Sequence, residues 1–335
     1  MAKRDIIVIG ASAGGVEALQ KLCAMLPADL PATIFIAQHI SPTARSLMPL
    51  LLSRAGPLQA MSPRDGDLTS EGTIYVASPD LHMLVRRGSV LMRRGPVENR
   101  TRPAVNALFR SAAVAYGSRV IGVVLTGLLD DGTEGLIAIK AAGGLSVVQD
   151  PTDAQWPSMP KNAIKRDHVD YIVPVAALAE LLGRLCRGDA GPNIPLPSEF
   201  ITEDRIAAQD FAVMNAEPRT PGQPSHVGCP DCGGVLNQIV TGDEIRFRCQ
   251  VGHAYTPLGL AQAQSSELER ALGVAVRTHK DRIKLFEQMS DNARTRELPH
   301  AVSRWEGAQA EAEQMIRVLE NAMASLTRVP VESEA

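Results

Sequence analysis

For the first 187 residues, apolar positions fall in short runs separated by stretches with helical spacing. D-I-I-V-I (5–9), A-T-I-F-I-A-Q (32–38), R-V-I-G-V-V-L-T-G (119–127) and L-S-V-V-Q (145–149) show little polar alternation. Strands covered on both faces of a parallel sheet read this way. Between them, Val16, Leu19, Leu22 and Cys23 give one helical face, and a short helix is predicted over 43–54. Pro103 opens a helix towards Tyr116, and another runs from Thr133 to the Gly143-Gly144 stop. Y-I-V-P-V and a helix over 177–187 close the series. Residues 59–94 differ: G-T-I-Y-V-A-S, H-M-L-V-R-R and V-L-M-R-R alternate, with a turn at 87–89, predicting a small antiparallel excursion. Strands alternating with helices predict an α/β fold, a doubly wound and mostly parallel sheet.

Beyond residue 187 the pattern changes. Residues 188–227 are rich in proline and glycine, as linkers are, with I-T-E-D-R-I-A-A-Q-D-F (201–211) as a short docked helix. Residues 228–256 carry a cysteine cluster, and 258–328 have helical periodicity with proline only at Pro299. Two helices joined near 291–299 are expected, as an antiparallel hairpin. The second presents Trp305, Ala308, Ala312, Met315, Leu319, Ala322 and Leu326 at alternating 3,4 spacing, a stripe that packs on a partner helix. The first offers Leu268, Leu272, Ala275, Phe286 and Met289. The expected organisation is a catalytic domain over 1–187, a linker over 188–227, a small ribbon over 228–256 and a helical hairpin over 257–335.

With 335 residues, two or three domains are expected, and 45% hydrophobic residues suffice for a core. A net charge of −3 gives no basic field, so nucleic acid is not an expected partner. There is no apolar run of about 20 residues, so no membrane insertion is expected. M-A-K-R-D-I-I-V-I-G begins like an export signal, but its apolar run stops at Ile9; a buried first strand and a cytoplasmic location fit better. Of the five cysteines, Cys23 and Cys186 stand alone in apolar helical patterns, as core residues do.

The most informative motif is strand–G-A-S-A-G-G–helix at 10–15. A dinucleotide fingerprint needs glycine where Ser12 stands, and an acidic residue at the end of the second strand, where Gln38-His39 stand. G-x-S-x-G fits directly, as Gly10, Ser12 and Gly14: small neighbours allow a sharp turn that exposes the hydroxyl at the sheet edge, beside a helix N-terminus. The Ala13 amide would then face the oxyanion region. A serine hydroxyl needs a base, and His39 ends the second strand at the same edge. The base needs an orienting acceptor, and Asp130-Asp131-Gly132 follow the strand that ends at Gly127. Sheet geometry does not choose between the two aspartates, and one of them is expected to cap the helix that follows.

These residues resemble the catalytic domain of chemotaxis receptor protein-glutamate methylesterases, the CheB family. I-G-A-S-A-G-G, A-Q-H-I-S, R-P-A-V-N-A-L-F-R-S-A-A, L-T-G-L-L-D-D-G-T-E-G, V-V-Q-D and M-P-K-N-A-I carry the likeness over roughly 4–187. The resemblance implies Ser12 as nucleophile, His39 as base and Asp131 as the acid, with the Ala13 and Leu128 amides as oxyanion donors. It implies hydrolysis of glutamyl methyl esters, deamidation of glutamines, and the cytoplasmic domain of a methyl-accepting chemotaxis receptor as partner. No cofactor is implied for catalysis. Ala13, Leu128 and Asn106 depart from the common family residues threonine, methionine and aspartate. Familiar members carry an N-terminal receiver; with the first strand at residue 5, control through a preceding receiver is not expected.

Cys229-x-x-Cys232 and, after 16 intervening residues, Cys249-x-x-x-His253 supply three thiolates and an imidazole, a set suited to tetrahedral structural zinc. A degenerate ribbon without metal, or a redox pair at Cys229 and Cys232, is the alternative. The tail stripe is read first as helix packing and second as a surface for self-association or docking of a signalling protein. Two other functions compete with the methylesterase: a small-molecule esterase or amidase, and a non-catalytic scaffold in a chemosensory array.

Overall fold

A computed structural model describes residues 2–44, 46–210, 221–241 and 244–326. The described residues form two compact units, divided between Gly259 and Leu260.

The first unit is built on seven strands in the order β3-β4-β2-β1-β7-β8-β9, and every pairing among them is parallel. The strands are β1 (Ile6–Ala11), β2 (Thr33–Gln38), β3 (Gln59–Met61), β4 (Thr73–Val76), β7 (Val120–Val124), β8 (Leu145–Gln149) and β9 (Tyr171–Val173). All six residues of β1 and of β2 are buried. The side-chain period of two splits them between layers: Ile7, Ile9, Ile34 and Ile36 pack with α1 (Gly15–Met25), α2 (Met48–Ala55) and α6 (Val175–Arg187). Ile6, Val8 and Phe35 pack with α3 (Val105–Tyr116), α4 (Thr133–Ala141) and α5 (Ser158–Arg166). Cys23 and Cys186 are buried in the first layer. The chain winds outwards from β1 through β2, then returns to place β7 on the other side of β1. That reversal puts a topological switch point between β1 and β7, where open parallel sheets form a crevice at their C-terminal ends.

The antiparallel excursion expected over 59–94 is smaller than its sequence suggested. Only β5 (His82–Arg86) and β6 (Ser89–Arg93) form an antiparallel hairpin. T-I-Y-V instead extends the main sheet as β4, in register Ile34↔Ile74 and Ile36↔Val76. Ile74, Tyr75 and Val76 are all buried, so both faces of this strand are covered and its alternation carries no solvent side. The short helix expected over 43–54 starts later, at Met48.

Four more strands, β10 (Gln223–Gly228), β11 (Val235–Thr241), β12 (Glu244–Cys249) and β13 (Ala254–Tyr255), form an antiparallel sheet that carries the cysteine cluster. It lies in the same compact unit as the seven-stranded sheet. Within the proline-rich segment, α7 (Ser198–Ala207) is a docked helix with Phe200 and Ile206 buried; 211–220 lie outside the described residues. Arg246 and Arg248, two apart on one face of β12, reach into the first unit's interior. There they meet Arg110 of α3, Glu203 of α7, and Glu98 and Glu134. Arg110 binds Glu98 at 2.6 Å and Glu203 at 3.3 Å; Arg248 lies 3.6 Å from Glu98 and 3.5 Å from Glu203. Arg246 is paired with Glu203 and lies 3.5 Å from Glu134.

Burial pushes the Glu134 carboxyl up to about 8, against the pull of Arg246, with Glu203 adding repulsion. The folded state therefore holds a proton that the unfolded chain releases near its ordinary 4.5, and stability falls as pH rises from about 4.5 to about 8. Glu134→Gln, which never ionises, is expected to match the native protein near pH 5. By pH 9 it should be more stable by several kcal/mol, since each unit is worth ~1.4 kcal/mol. Urea unfolding at both pH values measures this; an offset independent of pH would refute it.

The second unit contains most of α8 (Pro257–Thr295) and α9 (Pro299–Ala324). Phe286 and Trp305 stack at 5.7 Å between ring centroids, so these two helices pack as the periodicity predicts. On α9 the buried positions are Ala312 and Ile316, while Met315 is 45% exposed. A four-residue step from Ala312 keeps the face where a three-residue step turns away from it. Residues 327 and 328 of the expected helical span lie outside the described residues.

Candidate active site

Ser12 sits immediately after β1, at the switch point. Its amide donates to Thr126 O (3.0 Å), and Gln38 Nε2 donates to its carbonyl (2.8 Å). Thr126 Oγ1 donates to Ala13 O (3.1 Å), and Gln149 Oε1 accepts from Thr126 N (2.8 Å). The turn is thus pinned from β2, from the segment after β7, and from β8. Gly14 caps α1 at φ +72°, a left-handed conformation that a side chain strains. At Gly127 a Cβ would fall 2.8 Å from Ser12 Cβ and 2.1 Å from Met159 Sδ, so only glycine lets the β7 loop pass the serine.

The three residues of the expected triad come together. Ser12 Oγ lies 3.1 Å from His39 Nδ1, and His39 Nε2 lies 2.8 Å from Asp131 Oδ2. For the ring to accept from the serine, its proton must sit on Nε2, donated to Asp131. Thr101 Oγ1 also approaches Nε2, at 3.3 Å. The His39 side chain is 15% exposed and Asp131 is buried, so the base is reachable and its partner is not. The Ala13 and Leu128 amides lie on the two turns flanking the serine, and neither donates to a backbone carbonyl there. Leu128 and Trp156, each 43% exposed, offer apolar surface beside this crevice.

Asp131 is over-satisfied by design of the fold. Its Oδ2 accepts from His39 and from Val105 N (2.7 Å); its Oδ1 accepts from Asn106 N (3.1 Å), Gly132 N (3.0 Å) and Asn99 Nδ2 (3.2 Å). Burial alone would raise this carboxyl, but the His39 contact and the Val105 and Asn106 amides hold it below its ordinary value. Val105 and Asn106 open α3, so Asp131 caps that helix from another loop, with negative charge at its positive end. Asn106 returns the favour: its Oδ1 accepts from Gly132 N and Gly135 N, both at 2.9 Å, at the start of α4. The expectation that Asp130 or Asp131 caps the helix over T-E-G-L-I-A-I-K is therefore corrected. Asp131 Oδ1 shares only the Gly132 amide with Asn106, while the first-turn Gly135 amide donates to Asn106, and Asp130 turns to Thr256.

Asp130 is also buried; desolvation pushes it up to about 6, partly offset by the Thr256 hydroxyl, which donates at 2.9 Å, and by Arg166 at 3.6 Å. Thr256 and Asn99 are residues that sequence reasoning did not single out. Neither belongs to a periodic run, and their partners lie 126 and 32 positions away.

Cys229, Cys232, Cys249 and His253 also converge, with ligand atoms all within 4.8 Å of one another. Both Cys229 Sγ and Cys249 Sγ lie 3.6 Å from His253 Nδ1, and Cys232 Sγ lies 3.7 Å from Cys249 Sγ. Metal–sulfur bonds of ~2.3 Å and metal–nitrogen bonds of ~2.0 Å put tetrahedral edges near ~3.5–3.8 Å, so the set fits a Cys₃His zinc site. The sulfurs are too far apart for a disulfide, whose S–S bond is about 2.05 Å. Tyr255 Oη, 3.6 Å from Cys229 Sγ and bonded to Asp231, supplies an outer contact.

Comparison with known proteins identifies the family. The chain is 35% identical over 192 residues to a protein-glutamate methylesterase/protein-glutamine glutaminase 2 of Methanosarcina mazei, covering 55% of this chain and 52% of the relative. It is 32% identical over 203 residues to a protein-glutamate methylesterase/protein-glutamine glutaminase of Pyrococcus abyssi, covering 58% and 55%. The chain spans about half the length of these curated relatives. A solved structure, the Thermotoga maritima CheB methylesterase catalytic domain, aligns over its whole length and 55% of this chain, at 31% identity and a TM-score of 0.53. The CheB methylesterase family model matches residues 7–182, and the chain belongs to that family.

Proposed function

We propose that this chain is a protein-glutamate methylesterase that acts on the cytoplasmic domain of methyl-accepting chemotaxis receptors, from a cytoplasmic location. The observation that carries the reading is the continuous Ser12–His39–Asp131 contact at the switch point. Ser12 Oγ attacks the ester carbon while His39 Nδ1 takes its proton, and Asp131 stabilises the imidazolium. The oxyanion is received by the Ala13 and Leu128 amides. His39 then returns the proton to the departing methoxide, releasing methanol and leaving a glutamyl ester on Ser12. Water, deprotonated by His39, cleaves that ester and restores the serine. A glutamine side chain follows the same route with ammonia as leaving group, so deamidation belongs to the same site. Exposed Leu128 and Trp156 beside the crevice favour a protein substrate over a small one. No metal takes part in these steps; zinc on Cys229, Cys232, Cys249 and His253 would be structural, all four positions being filled by protein. Among the described residues no helix is long and apolar enough to cross a membrane. The stripe on α9 packs within the tail, and docking or self-association there remains secondary to the enzyme.

Methanol release from a methylated receptor cytoplasmic fragment tests the reading. The native chain is expected to release methanol and Ser12→Ala to lose at least ~10⁴-fold in kcat. Equal release by both proteins would remove Ser12 from the reaction; none from either would leave the scaffold reading standing.

A further inference from the structure

The metal-ligand cluster and the triad are joined by a short run of backbone. His253, the fourth ligand, is followed directly by Ala254, whose amide donates to Val97 O (3.1 Å) and whose carbonyl accepts from Asn99 N (2.8 Å). The next residues continue the seam. Thr256 N donates to Asn99 Oδ1 (3.0 Å), and the Thr256 hydroxyl donates to Asp130 (2.9 Å). Asn99 in turn donates to Asp131 Oδ1 (3.2 Å). Two residues on, Thr101 touches the His39 ring. Asn99 and Arg100 both hold left-handed backbone, φ +48° and +66°. Such a turn needs external partners to persist in residues other than glycine. For Asn99 those partners are Ala254 and Thr256, which follow His253, together with Asp131. The Cys249–His253 turn is also pressed against this segment: at Gly252, φ +105°, a Cβ would fall 2.5 Å from Pro96 Cγ.

We propose that the Cys229/Cys232/Cys249/His253 site, loaded with zinc, is a clamp on the active site, and that Asn99 is the positioning residue through which it orients Asp131. The proposal rests on the triad reading above. The ribbon's own backbone bonds at the ligand turns are few and local, among them Gly233 N to Cys229 O and Gly252 N to Cys249 O. A metal bonded to both turns fixes the strand that leaves His253, and with it Ala254 and Thr256. The strand that leaves His253 is also paired with β12, Arg248↔Ala254 and Phe247↔Tyr255. Without the metal the Cys249–His253 turn at its start is released, the 97–101 turn is held less tightly, and Asp131 keeps its helix-end amides with a weakened bond from Asn99. His39 is then oriented by a carboxylate with one looser restraint and by a less firmly held Thr101. The expected consequence is slower chemistry with unchanged substrate binding, because the crevice surface around Leu128 and Trp156 belongs to other segments.

The test uses the full chain in three forms: native, Cys232→Ser and Asn99→Gly, glycine preserving the left-handed backbone. Zinc content, kcat and KM on the methylated receptor fragment, and the rate at which a fluorophosphonate labels Ser12 are measured for each. The native protein is expected to hold zinc. Cys232→Ser should lose it and fall about 10- to 100-fold in kcat and in labelling rate, the usual range for outer-shell partners, with KM unchanged. Asn99→Gly should keep its zinc and show the same fall. If zinc-free Cys232→Ser, folded by its unfolding transition, retains native kcat and labelling rate, the clamp is refuted. Should Cys232→Ser fail to fold, Asn99→Gly decides alone, and native rates there overturn the assignment. Labelling separates the two readings: if the native chain releases no methanol, the receptor substrate fails, while the labelling rates still decide the clamp.

Discussion

Asp131→Asn is expected to lower kcat for ester hydrolysis by about 10⁴-fold, the loss seen when a triad carboxylate becomes an amide and the histidine takes the wrong tautomer. Every acceptor site on Asp131 faces a donor. Oδ2 faces His39 Nε2 and the Val105 amide; Oδ1 faces the amides of Asn106 and Gly132 and the Asn99 side chain. An asparagine must turn its NH₂ to one side or the other. Against His39 it donates to Nε2, forces the ring proton onto Nδ1 and leaves nothing to accept from Ser12. Against Oδ1 it opposes three donors, including the first turn of α3. Either way an N–H loses its acceptor, at a cost of about 1–3 kcal/mol. The substitution should therefore reduce both rate and stability, and the two are separable by measuring kcat well below the unfolding transition. A kcat within tenfold of native would mean that Asp131 caps α3 and does nothing for His39.

The largest expected loss of stability follows Glu203→Gln. Glu203 is a carboxylate in contact with Arg110, Arg246 and Arg248 together, and all four side chains are almost fully buried. Burial alone would raise its carboxyl, but the three guanidinium groups, Arg246 foremost, hold it down near about 2. Gln keeps the shape and removes the charge, leaving three cations facing Glu98 and a Glu134 whose own acid is raised. Removing one partner of a buried ion cluster costs about 3–5 kcal/mol, and that is the loss expected in urea unfolding at pH 7. The sign is fixed by linkage. A lowered acid stabilises the fold above its unfolded value near 4.5, and that stabilisation is lost as pH falls towards about 2. The gap between native and variant should therefore close across that window. A gap below ~1 kcal/mol at pH 7 would show that the docking of β12 rests on its apolar contacts.

The inner strands β1, β2, β7 and β8 were legible because they are covered on both faces, whereas the short, partly exposed edge strand β3 carries no such run and was not read. Unbroken runs such as I-I-V-I and T-I-F-I admit few other readings, and the order of strand ends brought Ser12, His39 and Asp131 to one edge. T-I-Y-V was misplaced because four residues with a tyrosine look half-exposed until helices cover them. The choice of Asp131 over Asp130 came from family likeness; side-chain direction at a loop is not written in spacing. In the structure the preceding residue turns to Thr256 and Arg166 instead. The ribbon's ligands were legible from C-x₂-C and C-x₃-H, whereas its place against α3 and α7 was not. That contact is made by charges, and charged residues in a sequence read as surface. Asn99 shows the same limit: a polar residue in an aperiodic loop carries no local sign that it bridges two distant segments.

The exchange across β12 and β13 also sets an order on synthesis. Ser12, His39 and Asp131 are all made within the first two-fifths of the chain, yet Arg246, Arg248 and Thr256 come more than a hundred residues after Asp131. A nascent chain that has just completed α6 already holds every group that reacts. Arg110 is already made, but Glu203 and its partners Arg246 and Arg248 are not, nor are Ala254 and Thr256, which meet Asn99. On the proposed reading, the active site is assembled in two instalments, and Ser12 waits on a segment made long after the triad itself.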